Sequence, residues 1–118
     1  MTLPLASDGR PAQEVAVEIA RRAGRVIMKG FSGEKTVSHK GRADLVTDTD
    51  VRVERVVLSL LRRYFPGHAI LSEESGQAEA GSEYQWVVDP LDGTRNFAFG
   101  IPFFCTCLAL AKGKEVVL

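Results

Sequence analysis

The stretch Trp86-Val87-Val88-Asp89-Pro90-Leu91-Asp92-Gly93-Thr94-Arg95-Asn96-Phe97 decides how this chain is read, because a short apolar strand runs straight into two closely spaced carboxylates and a glycine. Val87 and Val88 favour a buried strand, Pro90 cannot continue a central ladder, and the turn after it lifts Asp89 and Asp92 out at the strand's end. Both carboxylates then face one site. Gly93 allows close backbone approach, and a helix beginning near Thr94 would offer free N–H groups and a dipole to an anion such as phosphate. The alternative is an ordinary Asp-Gly turn capped by Asp92, and the acids upstream bear on that choice.

Working back from this stretch, Ala69-Ile70-Leu71 reads as a short strand delivering Glu73 and Glu74 at its C-terminal end, followed by a Gly- and Ala-rich loop from Gly76 to Gly81. Before it, Val53, Val56, Val57, Leu60, Leu61 and Tyr64 recur at helical spacing, with Thr47 as the cap, Asp50 three residues on, and Pro66-Gly67 as the stop. An earlier helix takes Ser7 or Asp8 as cap and Pro11 in its first turn; it carries Val15, Ile19, Ala23, Val26 and Ile27, and Gly30 ends it. Thr36 to Lys40 reads as an edge strand leading into a Gly41-Arg42-Ala43 turn. Downstream, strands are expected at Phe104 to Ala111 and Glu115 to Leu118, joined by a Lys112-Gly113-Lys114 turn. The pattern is α+β, with two helices followed mainly by strands, packed on a mainly antiparallel sheet. The last strand stops without a polar tail, which reads as a chain cut mid-fold.

Composition narrows the function. The 118 residues make about one small domain, 45% hydrophobic and 25% charged, as expected for a globular protein. Fifteen basic residues balance fifteen acidic ones, so no global field favours nucleic acid or an anionic membrane. No apolar run approaches the roughly 20 residues of a spanning helix and no signal peptide is evident, which makes a cytoplasmic location the default. Cys105 and Cys107 alternate onto one strand face and read as core cysteines, since neighbours at i and i+2 are poor disulfide partners and no other Cys completes a zinc set. His39 and His68 read as surface or turn residues.

If the strands ending at Glu73 and Asp89 are sheet neighbours, Glu73, Asp89 and Asp92 cluster. Each like-charge pair ~4 Å apart would cost roughly 4 kcal/mol at an effective dielectric near 20, and a cation must offset that. All-oxygen ligands favour Mg²⁺, with Mn²⁺ as a substitute, over zinc. Two such ions suit hydrolysis of a phosphate ester. Asp48-Thr49-Asp50-Val51 superficially fits an aspartyl-nucleophile signature, but only Leu45 and Val46 precede it where that chemistry needs a buried strand.

Taken together, Asp44-Leu45-Val46-Thr47-Asp48-Thr49-Asp50, Ser72-Glu73-Glu74-Ser75 and Asp89 through Phe97 closely resemble the inositol monophosphatase family of Mg²⁺-dependent, lithium-sensitive sugar phosphatases. The resemblance spans nearly the whole chain and implies the N-terminal portion of a layered α/β/α/β/α sugar-phosphatase fold. It implies that Glu73 and Asp89 bind a first metal with the carbonyl of Leu91, that Asp89 bridges to a second, and that Asp92 serves the second. Asp50 and Thr94 would orient the attacking water, with Glu73 counted in the same catalytic set. Gly93 and Thr94 would hold the phosphate, Lys40 would sit near the outer metal and phosphate, and Glu74 and Asp44 would support the ligands from behind. The partner implied is a small phosphate ester, and the complete protein is expected to be a homodimer.

The departure from the family is one of length. The family's second half carries a Trp-Asp-x-Ala-Gly-like motif whose aspartate completes the second metal site and whose neighbours read the sugar, and that motif is absent from residues 1–118. The resemblance therefore implies metal-dependent hydrolysis by a longer protein, with residues 1–118 alone inactive. A non-catalytic piece kept for metal or phosphate binding or for protein association is the alternative. Asn96-Phe97 resembles the sugar and polyol branch more than the nucleotide branch.

Overall fold

Helix α1 (Ala12–Phe31) forms where Val15, Ile19, Ala23 and Ile27 recur every four residues, and all four are buried. The computed structural model describes residues 3–33, 36–39, 45–73, 76–78 and 81–118. Neither Ser7 nor Asp8 caps α1. Pro11 is the N-cap, with no side-chain cap, while the Asp8 carboxylate accepts hydrogen bonds from the Arg10 backbone and guanidinium. Gly30 does not end the helix either. It lies buried within the last turn, where a Cβ would strike Thr49 Oγ1 and pass 3.0 Å from Thr49 Cγ2, so glycine serves the crossing of the two helices rather than a stop.

Helix α2 (Asp48–Tyr64) starts at Thr47, whose side chain accepts from the Asp50 N–H while the Asp50 carboxylate accepts from the Thr47 N–H. This is the expected reciprocal cap. Val53, Val57, Leu60 and Leu61 are buried with Leu58, and Val56 and Tyr64 pack at the margin. Because buried Thr49 cannot swing away, Gly30→Ala should cost about 1–3 kcal/mol of stability, outweighing the roughly 1 kcal/mol alanine gains in helix propensity. Urea unfolding of Gly30→Ala, Thr49→Ala and the double variant checks this. The double variant should recover most of the loss, and simple additivity would contradict the contact.

The strands form two sheets. β1 (Val37–His39) and β2 (Leu45–Thr47) make an antiparallel ribbon with Val37 opposite Thr47. β2 escapes the sequence because three residues show too little alternation. The larger sheet is ordered β4-β3-β5-β6-β7, from β3 (Ala69–Ser72), β4 (Gly76–Ala78), β5 (Tyr84–Asp92), β6 (Cys105–Lys112) and β7 (Glu115–Val116). Gly76–Ala78 is thus a strand paired with β3 where a loop was expected. Among these pairings only β3 and β5 run parallel. The parallel register sets Ser72 beside Val88, so Glu73 and Asp89 emerge next to each other from neighbouring strands.

β5 also runs on through Pro90 to Asp92, contrary to the expectation that proline would close it. The ladder to β6 shifts register between Asp89 and Asp92, which accommodates a residue with no N–H to donate. Helix α3 (Thr94–Ala98) is short and buries Phe97. α1 and α2 pack on each other and on the sheet, α2 against β5 and α1 against β6. Trp86, Phe97 and Leu110 complete the core between the layers.

His68 closes the turn after α2, its N–H donating to the Phe65 carbonyl at 3.1 Å, but its ring is half-buried rather than on the surface. It stacks on Phe65 and Tyr84 at ring distances of 5.2 and 5.1 Å, and its Nδ1 accepts from the buried Trp86 indole at 3.1 Å. Burial holds its pKa below the ordinary value, as an accepting nitrogen requires. Among the described residues no helix is long and apolar enough to cross a membrane.

Candidate active site

Asp89 and Asp92 are three residues apart, a spacing that in a regular strand sends side chains to opposite faces. The irregularity at Pro90-Leu91 corrects this. Asp89 lies opposite Cys107 and Asp92 opposite Cys105, two positions that share a face of β6. Thr106 fixes the irregular segment by donating its hydroxyl to the Pro90 carbonyl at 2.8 Å. With Glu73 delivered by the parallel neighbour β3, three carboxylates gather at one end of the sheet. A groove of about 590 Å³ at this end is lined by Glu73 and Asp89 together with Leu71, Val87, Cys107 and Ala109.

The electrostatics match the crowding. The Asp89 carboxyl is pushed up to about 7, first by burial, then by the Glu73 carboxyl and its charge and by the charge of Asp92, against the opposing pull of the Leu91 N–H. Asp89 Oδ1 is buried with no hydrogen-bond partner among the described residues. A buried carboxylate oxygen left unpaired beside two further carboxylates fits a hard divalent cation, which would supply both the missing partner and the missing charge.

Protonation of Asp89 ties the stability of the metal-free protein to pH. Asp89 unfolds to an ordinary value near 3.8 and folds to about 7, so between these pH values the folded state binds more protons than the unfolded one. Stability from this group is therefore greatest at the acid end, falls as pH rises through the window and stays low above it. Thermal melts in chelator at pH 5 and pH 8 should show that fall in the native protein and a smaller one in Asp89→Asn. An equal fall in both would contradict the assignment.

The second part of the site is built from α2 and α3. Asp50 is 1% exposed although it stands at a helix start. Its Oδ2 accepts the Thr47 N–H at 2.9 Å and the Thr47 hydroxyl at 2.5 Å, which turns Oδ1 the other way. There Thr94 Oγ1 lies 2.7 Å away, and the same hydroxyl is 3.0 Å from the Leu91 carbonyl. The cap thus orients a carboxylate toward a hydroxyl 44 residues distant.

Gly93 has φ of 91°, and a Cβ there would approach the Phe103 carbonyl to 2.9 Å, so the turn from β5 into α3 requires glycine. α3 has five residues, which makes its dipole a minor attraction for an anion. Asn96 ties this turn to the following loop by donating to the Phe103 carbonyl at 2.9 Å. Thr106 and Asn96 are the residues that sequence reasoning missed as supports, because their partners are backbone carbonyls fixed only by the fold. Lys40, Asp44 and Glu74 lie outside the described residues. Cys105 and Cys107, expected in the core, share a strand face as foreseen, but that face is the exposed one beside Asp92. Although Cys107 is exposed, partial desolvation against the strand and then the neighbouring Cys105 push its thiol up to about 11.

Known proteins resemble this chain in sequence and in fold. The inositol monophosphatase from Mesembryanthemum crystallinum is 47% identical over 103 residues, covering 84% of this chain and 38% of that protein. The Nus factor SuhB of Escherichia coli strain K12 is 40% identical over 111 residues, covering 91% and 42%. Among solved structures, the extragenic suppressor protein SuhB from Bartonella henselae superposes with a TM-score of 0.86 at 36% identity, covering 89% of this chain and 42% of the other. The chain therefore spans about two fifths of the length of these relatives. Residues 8–118 match the inositol monophosphatase family, nearly the whole of the chain, and on that match and these likenesses the chain belongs to the inositol monophosphatase family.

Proposed function

We propose that the protein carrying this chain hydrolyses a phosphate monoester of a sugar or polyol with the help of Mg²⁺, or Mn²⁺ in its place. The observation that carries the reading is the buried Asp89 Oδ1, with no hydrogen-bond partner among the described residues, beside Glu73 and Asp92. Glu73, Asp89, Asp92 and the Leu91 carbonyl would hold the cations. When bound, these supply Lewis-acid charge that polarises the phosphoryl group and acidifies water.

The chain's own residues do the rest. Asp50, locked by Thr47, accepts a hydrogen bond from the Thr94 hydroxyl, which leaves the lone pairs of Thr94 Oγ1 to accept a hydrogen bond from the attacking water; as the water is deprotonated, its proton passes to Oγ1 while the Thr94 proton passes to Asp50. The Gly93 and Thr94 backbone N–H groups would bind phosphate oxygens, and Lys40 would add positive charge at the outer edge. Intact carboxylates together with the aligned Asp50–Thr94 pair favour hydrolysis over a purely associative role. Relatives carry the names inositol monophosphatase and Nus factor SuhB, which supports the first activity and leaves association as a companion role to test.

The test of substrate class is phosphate release by the complete protein, in Mg²⁺, from inositol monophosphate, other sugar and polyol monophosphates, and a nucleoside bisphosphate. Faster turnover of the polyol and sugar esters is expected. Much faster release from the nucleotide would overturn the assignment.

A further inference from the structure

The exposed thiols of Cys105 and Cys107 have no part in the proposed hydrolysis, yet the β6 register sets them directly across from Asp92 and Asp89. Their Sγ atoms are 3.8 Å apart, and Cys105 Sγ is 4.0 Å from Asp92 Oδ2. All three donor groups lie within 4.8 Å of one another. With zinc–sulfur bonds of about 2.3 Å, two thiolates on a tetrahedral ion stand about 3.8 Å apart, and a thiolate and a carboxylate oxygen about 3.5 Å. The sulfur pair already has the spacing of a tetrahedral edge. Asp92 needs to close on Cys105 Sγ by about half an ångström and on Cys107 Sγ by at most about 1.3 Å, a rotation open to an exposed side chain.

A disulfide is the poorer use of this pair, because strand neighbours at i and i+2 direct their Cβ atoms in parallel. Two sulfurs and one oxygen also select a different ion from the one suited to three carboxylates. Soft thiolates favour Zn²⁺ or Cd²⁺, and Mg²⁺ does not compete for them.

We propose that Asp92, Cys105 and Cys107 form a thiophilic cation site, suited to Zn²⁺ or Cd²⁺, on the rim of the carboxylate cluster. Each thiol gives up its proton to solvent as it coordinates, and water or a substrate oxygen completes the fourth position. Asp92 is common to both sites, so occupancy here withdraws it from the carboxylate cluster. This competitive consequence rests on the hydrolase reading, whereas the binding itself does not.

Cd²⁺ titration of the reduced complete protein without added Mg²⁺, followed by the ultraviolet thiolate-to-cadmium band, tests the binding. A saturable band at one equivalent is expected, lost or weakened at least tenfold in both Cys105→Ala and Cys107→Ala and retained in Glu73→Gln. No such band, or an unchanged one in either cysteine variant, would overturn the site. If the protein hydrolyses no phosphate ester, this titration still decides the matter. For the consequence, Zn²⁺ inhibition at saturating Mg²⁺ is measured relative to each variant's own uninhibited rate. It should be at least tenfold weaker in Cys107→Ala, and equal inhibition would refute the competition.

Discussion

Asp89→Asn in the complete protein is expected to lower phosphate release by more than about a thousandfold, the largest loss of any single change in this site. Electrostatic stabilisers aimed at a transition state are worth ~10²–10³-fold each, and Asp89 would serve two ions at once. Its position explains the severity: it interacts with both Glu73 and Asp92, and one of its oxygens is buried with no hydrogen-bond partner among the described residues. Asparagine keeps the shape but brings an N–H₂ and no charge to a place that needs a negative oxygen. Glu74→Gln, in the supporting role that the resemblance implies, should cost only ~10–100-fold, expressed as weaker Mg²⁺ affinity. Turnover and Mg²⁺ activation curves for both variants check the ranking, and equal losses would contradict it.

Thr94→Ala is expected to lower kcat by about 10²–10⁴-fold while leaving Mg²⁺ activation nearly unchanged. The hydroxyl is a ligand to nothing in this reading. It links Asp50, 2.7 Å away, to the water, and alanine leaves the buried Asp50 Oδ1 without its donor. Thr94→Ser keeps the hydroxyl and should restore most of the rate. A loss of Mg²⁺ affinity matching the loss in kcat would place Thr94 among the metal ligands instead.

Much of this site was legible in the sequence because its parts are local. Thr47 and Asp50 stand three apart before an apolar stripe, and that spacing alone specifies the reciprocal cap. Asp89, Asp92 and Gly93 come within a few residues of a β-branched run. What the sequence concealed is how these parts meet. Asp50 reads as a helix-capping residue, and only the packing of α2 against the sheet and α3 buries it against Thr94. Proline argued for the end of β5, whereas the strand absorbs it in an irregularity that turns Asp89 and Asp92 to one face. The cysteines sit in an apolar run that suggested a core strand, but alternation specifies only a shared face and does not say which face is covered. Gly30 looked like a helix stop because close approach of a second helix leaves no local mark.

The most direct test of the central claim, that Glu73, Asp89 and Asp92 hold the cations used in hydrolysis, is a Mg²⁺ titration of phosphate release by the chelator-treated complete protein, run beside Asp89→Asn. The native protein should be inactive without cation, gain activity saturably with Mg²⁺ and recover with Mn²⁺, while Asp89→Asn stays near background throughout. Phosphate release that persists in chelator, or a Mg²⁺ response unchanged by Asp89→Asn, would contradict it.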